Sequence, residues 1–231
     1  MKEHIYTIPL NDHFGKKCGC PLCSMFTMLE TNEITTITGA SMMEPSIRIK
    51  TNEQGFCFRH YEMMTKKGKR LPVALIMQSH LEEIRADIEK KNGAYVEKYL
   101  DKLETSCYVC NRINNNMENI FSNLFHLYKS DSAFRDLVKE QSMFCVPHYR
   151  KLIKYGLKFL SKKEFNELYD IINKIELAYL ETLQGDIDWF CKKFDYRFAK
   201  EDWKNSKDSI ERTVYTLTGT EPYKKGEIDV Y

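Results

Sequence analysis

No stretch of this chain stays apolar for long: the longest run, Val73 to Met77, falls far short of the roughly 18 to 20 residues of a membrane-spanning helix. The first 19 residues carry no charged-then-apolar export pattern. Charge of one sign is also missing. With 35 basic against 33 acidic residues and a net charge near +2, no global field draws nucleic acid or anionic lipid. A Gly-rich phosphate loop, a nucleophile elbow and an HExxH motif are absent too. The expectation is a cytoplasmic protein with no membrane partner and no catalytic signature. At 231 residues, 42% hydrophobic and 29% charged, the chain has enough apolar side chains to bury one or two cores.

Cysteine is present in force, and six of the eight cysteines obey one rule. Cys20-Pro21-Leu22-Cys23 is followed, 33 residues on, by Cys57-Phe58-Arg59-His60; Cys107-Tyr108-Val109-Cys110 is followed, 34 residues on, by Cys145-Val146-Pro147-His148. Both CxxH pairs lie inside Phe-Cys-x-x-His-Tyr, so the pattern is an internal duplication. Two residues between ligands let one turn aim both donors at an ion, and a second such pair completes a tetrahedron. Three thiolates and an imidazole are a common zinc donor set that leaves no open position. The spacing predicts two structural zinc ions per chain, one on Cys20, Cys23, Cys57 and His60, the other on Cys107, Cys110, Cys145 and His148. An iron–sulfur cluster with the same donors is the chemical alternative. Haem attachment is excluded because Ser24 and Asn111, not histidine, follow the CxxC pairs. Disulfides would leave the paired histidines unexplained and need an oxidising compartment. Cys18 is read as an unused flanking thiol and Cys191 as a buried small hydrophobe.

Helical periodicity dominates the rest. Val73, Ile76, Leu81, Ile84 and Ile88 mark a helix behind Pro72 that ends near Asn92-Gly93, and Ile113 to Tyr128 mark another. Ser161-x-x-Glu164 is a capping box opening a long helix that Gly185 is expected to stop. Ser209 to Leu217 reads as a helix ending at Gly219, with a polar, loose tail from about 220. Ile34 to Thr38 is β-branched but lacks a strand partner. The fold class is mainly α: two tandem Cys3His metal-pinned modules plus a C-terminal helical segment. Residues 1–91 form the first repeat, 92–185 the second repeat with the long helix, and 186–231 a segment packing on them.

These motifs, together with Met42-Met43-Glu44-Pro45-Ser46-Ile47-Arg48, Thr51-Asn52-x-x-Gly55-Phe56, Lys193-Phe194-Asp195-Tyr196-Arg197 and Trp203-x-Asn205-Ser206-Lys207-Asp208, resemble a bacterial family, domain of unknown function 6062. The resemblance covers nearly the whole chain. It implies a cytoplasmic bacterial protein with a duplicated Cys/His pattern and carries over no activity. Matches to it suggest a ligand pocket of Glu44, Arg48, Asn52, Asp195, Arg197 and Trp203, although the preferred reading of Asp195 and Arg197 is a pair that holds the C-terminal helix. One departure stands out: Ser142-Met143-Phe144 replaces Gln54-Gly55-Phe56, so glycine's backbone freedom is needed in one copy alone.

A basic stretch follows each CxxH pair: Lys66, Lys67, Lys69 and Arg70, then Arg150, Lys151, Lys154, Lys158, Lys162 and Lys163. These are read as solvated helix faces that offset the negative charge of three thiolates, in preference to a nucleic-acid surface. His80 and His126 have no evident catalytic partner. The expected function is that of a zinc-binding adaptor with an unknown protein or small-molecule partner. The alternatives are a redox-responsive or iron–sulfur protein, or an enzyme whose pocket is built by Arg48, Asp195 and Arg197.

Overall fold

The capping box at Ser161 forms as the sequence implies: the Ser161 hydroxyl accepts from the Glu164 amide, and the Glu164 carboxylate accepts from the Ser161 amide. It opens the longest helix of a computed structural model that describes residues 3–16, 19–66 and 70–221. Among the described residues there are eleven α-helices and no strand. They are α1 (Glu3–Phe14), α2 (Pro21–Ile37), α3 (Pro45–Gln54), α4 (Phe58–Lys66), α5 (Arg70–Lys90), α6 (Gly93–Thr105), α7 (Tyr108–Ser130), α8 (Ser132–Lys139), α9 (Val146–Phe159), α10 (Lys162–Lys192) and α11 (Ser209–Thr218), with a short 3-10 turn at Ala40–Met43. None of the helices is long and apolar enough to cross a membrane. Cys18, Lys67, Lys69 and the tail from residue 222 lie outside the described residues.

Two compact units are formed, one from Met1–Met25 with Asn119–Tyr231, the other from Phe26–Glu118. The boundaries fall inside α2 and α7. In the first unit, α9 and α10 make an antiparallel pair joined by Leu160-Ser161, and α11 packs on both. Its core holds Phe14 against Phe134, and Phe121 stacked on Tyr155 at 4.7 Å between ring centroids. In the second unit, α5 packs on α3, α4 and α6. Its buried residues include Met64, Val73, Ile76 and Phe56, whose ring lies edge-on to Tyr61 and Tyr108.

Three expectations are corrected. Gly185 does not stop α10, which runs on to Lys192; a glycine costs a helix interior about 1 kcal/mol relative to alanine, too little to break a helix held along one face by Leu168, Ile172 and Leu183. On α5 the apolar stripe is buried at Val73 and Ile76, whereas Leu81 and Ile88 are exposed. Cys191 is exposed, because at the end of α10 the apolar contacts pass to Phe190, which meets Phe194 and Trp203. The β-branched segment at Ile34 is helical, and the Thr38 hydroxyl donates back to the Ile34 carbonyl.

The buried face of α10 also carries a carboxyl. Glu176 is 2% exposed and accepts from the Phe144 amide at 3.3 Å, while its Oε1 has no partner. Burial, offset in part by that amide, raises its pKa to about 7. The folded state thus holds this proton more tightly than the unfolded chain, so the contribution of Glu176 to stability is full below its ordinary value of 4.5 and is lost as pH rises through about 7. Glu176→Gln is expected to match the parent in denaturant melts at pH 4 and to exceed it by about 1–3 kcal/mol at pH 8.

Candidate metal centres

All four Cys/His motifs stand at helix N-termini. Cys20, Cys57, Cys107 and Cys145 immediately precede α2, α4, α7 and α9, and their partners Cys23, His60, Cys110 and His148 lie three residues on, in the first turn. Sulfur there meets the positive end of the helix dipole and unpaired amides, which favours thiolate. The Cys110 amide, for instance, donates to Cys107 Sγ.

The motifs pair across the duplication. Cys20, Cys23, Cys145 and His148 form one group and Cys57, His60, Cys107 and Cys110 the other, with the donor atoms of each within 4.8 Å of one another. The tandem assignment of Cys20 and Cys23 with Cys57 and His60 is therefore corrected, as is that of Cys107 and Cys110 with Cys145 and His148. The helix ends that meet are α2 with α9 and α4 with α7. In sequence the arrangement is nested: the inner group closes within the long loop that the outer group closes.

Both groups fit one tetrahedral ion. A zinc–sulfur length of about 2.3 Å sets sulfurs about 3.8 Å apart. In the outer group Cys23 and Cys145 Sγ are 3.3 Å apart, and His148 Nδ1 lies 3.1, 3.3 and 3.7 Å from Cys145, Cys23 and Cys20. In the inner group Cys57 and Cys110 Sγ are 3.9 Å apart, and His60 Nδ1 lies 3.1, 3.2 and 3.5 Å from Cys57, Cys107 and Cys110. The protonation pattern shows crowding that a cation would relieve. Cys145 and Cys20 hold Cys23 down to about 4, while Cys145 is pushed up strongly by Cys20 and Cys23. Burial opposes ionisation of Cys107, yet the His60 hydrogen bond brings it to about 6; burial and Cys107 push Cys110 up.

The surroundings of the two groups differ. At the inner one, His60 Nε2 meets Glu30 Oε1 at 3.1 Å, and Glu30 is gripped by Arg59 through two bonds of 2.8 Å. A carboxylate behind the imidazole fixes the tautomer that turns Nδ1 toward the thiols. Burial disfavours charge on both partners. Bonds to Cys107 and Glu30 nevertheless raise His60 to about 10, and bonds to His60 and Arg59 hold Glu30 at about 2. The sequence reading missed Glu30: the second copy has Met117 at the matching position, so the duplication does not flag it.

At the outer group the cover is α11. The Tyr215 hydroxyl hydrogen-bonds Cys23, and Gly219 caps the helix at φ 71°. A Cβ on Gly219 would stand 3.1 Å from Cys145 Sγ and 3.5 Å from Cys23 Sγ. Glycine is required there both for the left-handed backbone and for the close approach. Gly219→Ala is expected to cost about 1–3 kcal/mol in a thermal melt. Half-buried Lys151, whose pKa burial lowers, sits within electrostatic reach of Cys145 and Cys23.

The suggested pocket residues lie on two separate segments. Glu44, Arg48 and Asn52 line successive turns at the start and along α3, with Asn52 Oδ1 accepting from Ser79. Asp195, Arg197 and Trp203 lie between α10 and α11, where the Arg197 guanidinium is engaged by Asp195. Buried Lys193 organises that segment, donating to the carbonyls of Phe198, Ala199 and Glu201 and facing the Trp203 ring. A lysine in this role gives no periodic signal. His126 is exposed on α7, and His80 is buried on α5.

No curated protein and no solved structure matches the chain. Residues 1–224 match the Family of unknown function (DUF6062). That span, together with the duplicated Cys/His pattern folded into two Cys3His groups, establishes that the chain belongs to this family.

Proposed function

We propose that this chain is a cytoplasmic zinc protein in which Cys20, Cys23, Cys145 and His148 hold one structural ion, Cys57, His60, Cys107 and Cys110 hold a second, and the scaffold so fixed acts as a binding or adaptor module. The observation that carries the zinc reading is the completeness of each donor set: four protein ligands converge from two helix ends, and six of the eight are buried. Zinc bound this way contributes folding free energy and keeps no position open for substrate. The adaptor half draws support from large apolar side chains left in solvent, Phe194 at 76% and Tyr196 at 87% exposure among them.

Metal analysis of protein purified anaerobically without a metal-binding tag tests the zinc reading. About two zinc per chain and a colourless solution are expected; iron with broad visible absorption would overturn it in favour of a cluster protein. Glu30→Gln is expected to weaken the inner site by about 10–100-fold in competition with a chromophoric chelator, leaving the outer site unchanged.

A second reading rests on Cys57 and Cys110, which are only half-buried, unlike the outer ligands. Peroxide would oxidise two inner thiolates to a disulfide, itself reduced to water, with loss of the ion. Zinc release that reverses on adding reductant favours this redox reading; release that does not reverse retires it.

A further inference from the structure

The segment in which the two copies depart from one another has different company in each. In the first copy Gln54 is engaged: its side-chain carbonyl accepts from Asn111 and its main-chain carbonyl from Ser106. Its counterpart by spacing from the CxxH pair is Ser142, which is exposed and makes no hydrogen bond among the described residues. An open cavity of about 480 Å³ lies beside it. Lys139, Gln141 and Ser142 form one wall, and Ile171, Lys174, Ile175 and Ala178 of α10 form the other.

Gln141 is 8% exposed, and its amide is oriented from behind: Nε2 donates to the Phe14 carbonyl at 2.7 Å and to the Leu137 carbonyl at 2.8 Å. Both donors are taken, which leaves Oε1 as an acceptor without a partner among the described residues. Unlike Oε1 of Glu176, it is not sealed from solvent, and the cavity is where Gln141 reaches the surface. Across from it, Ile171, Ile175 and Ala178 recur at i, i+4 and i+7 and form an apolar strip along α10. Lys139 and Lys174 are the charged side chains of the wall, and no acid joins them. Lys139 is held by Asp136 at 2.7 Å, whereas Lys174 has no ion pair among the described residues.

We propose that this cavity binds the C-terminal residue of a partner protein, one with a branched apolar side chain. The proposal gives the adaptor reading a partner of stated chemistry and rests on that reading. Each part of the wall selects one part of the ligand. Two ammonium groups without an acid call for an anion, and the ammonium of a free amino acid would find no counter-charge here. The strip on α10 calls for an apolar side chain. The fixed Gln141 Oε1 calls for an N–H, which a fatty acid lacks. A carboxylate, an apolar side chain and an acylated N–H occur together at the end of a polypeptide, whose terminal carboxylate is a recurring recognition element. The unpaired Ser142 hydroxyl adds a further hydrogen-bonding group to the same wall. The volume falls within the range of small-ligand sites and suits one or two residues.

Calorimetric titration of the full zinc-loaded chain tests this with acetyl-Ala-Ala-Leu, its C-terminal amide, acetyl-Ala-Ala-Gly, and 4-methylpentanoate, which keeps the leucine side chain and a carboxylate without the N–H. The free-carboxylate leucine peptide is expected to bind at least about ten-fold more tightly than each of the others and to shift the Gln141 side-chain amide signals in ¹⁵N spectra. Lys174→Glu is expected to erase the preference for carboxylate over amide, and Ala178→Trp to block binding, both with helicity and metal content unchanged. Should Ala178→Trp lose helicity, Lys174→Glu and the amide probe decide. No binding of the leucine peptide at up to about 5 mM, equal binding of the probes, or a carboxylate preference that survives Lys174→Glu would overturn the proposal. Failure of every probe sinks this site and leaves the adaptor reading standing. Binding of N-acetyl-leucine without binding of the peptide would mean that a small molecule fills the cavity, which overturns the proposal and the adaptor reading together.

Discussion

Replacing Cys145 with serine is expected to lay Cys20 and Cys23 open to alkylation while Cys57, Cys107 and Cys110 stay shielded, and to lower the metal content from two ions to one. The reciprocal variant, Cys57→Ser, is expected to expose Cys107 and Cys110 and to leave Cys20 and Cys23 protected. The expectation follows from which helix ends meet: α2 with α9 across Cys23 and Cys145, and α4 with α7 across His60 and Cys107. Tandem pairing makes the opposite forecast, since Cys57→Ser would then free Cys20 and Cys23. Mass-spectrometric mapping of iodoacetamide adducts on the two variants separates the alternatives. Exposure of Cys20 and Cys23 in Cys57→Ser would refute the nested arrangement.

The nesting was not legible in the sequence, and the reason is physical. Spacing within a motif reports the local turn that aims two donors, which is why all eight Cys and His positions of the two groups could be named. Which two motifs share an ion is decided by the packing of helices far apart in the chain, and the nearly equal gaps of 33 and 34 residues favour neither solution. The helices were readable where cap and stripe agree, as at Ser161 and at Gly219. They were misjudged where one residue was weighed against a long packed face, as at Gly185. Gly219 illustrates the limit. Its role as a helix stop shows in the pattern, whereas its place over the Cys145 and Cys23 sulfurs depends on a contact between residues more than seventy positions apart. Glu30 and Lys193 escaped for a related reason: a buried charge is recognised by its partners, and those are set only by the fold.

Chelation is expected to unfold the protein in two stages, the inner group first. Structural zinc contributes an apparent 10–16 kcal/mol or thereabouts in small zinc-dependent domains, which is comparable to the whole net stability of an ordinary domain, about 5–15 kcal/mol. In the chain-entropy picture, a clasp from Cys57 to Cys110, 53 residues apart, removes about 4 kcal/mol of unfolded-state freedom, and one from Cys23 to Cys145, 122 apart, about 5 kcal/mol. With the inner clasp closed, the outer loop is effectively shorter, so the two closures assist each other. Without an ion, the sulfurs of each group must either take up protons or face one another as buried thiolates. Access decides the order of loss: Cys57 and Cys110 are half-buried, whereas the outer four ligands are buried and Tyr215 and Gly219 cover Cys23 and Cys145. Lower pH acts in the same direction as the chelator, because protons compete for the thiolates and the imidazoles. Circular dichroism recorded during EDTA titration, alongside metal release, is expected to show loss of helix in two steps that shift to lower EDTA as pH falls. Cys57→Ser should remove the first step and leave the second. Full helicity and an unchanged melting temperature after both ions are gone would mean that apolar packing alone holds these helices, and that the Cys3His groups serve something other than the scaffold.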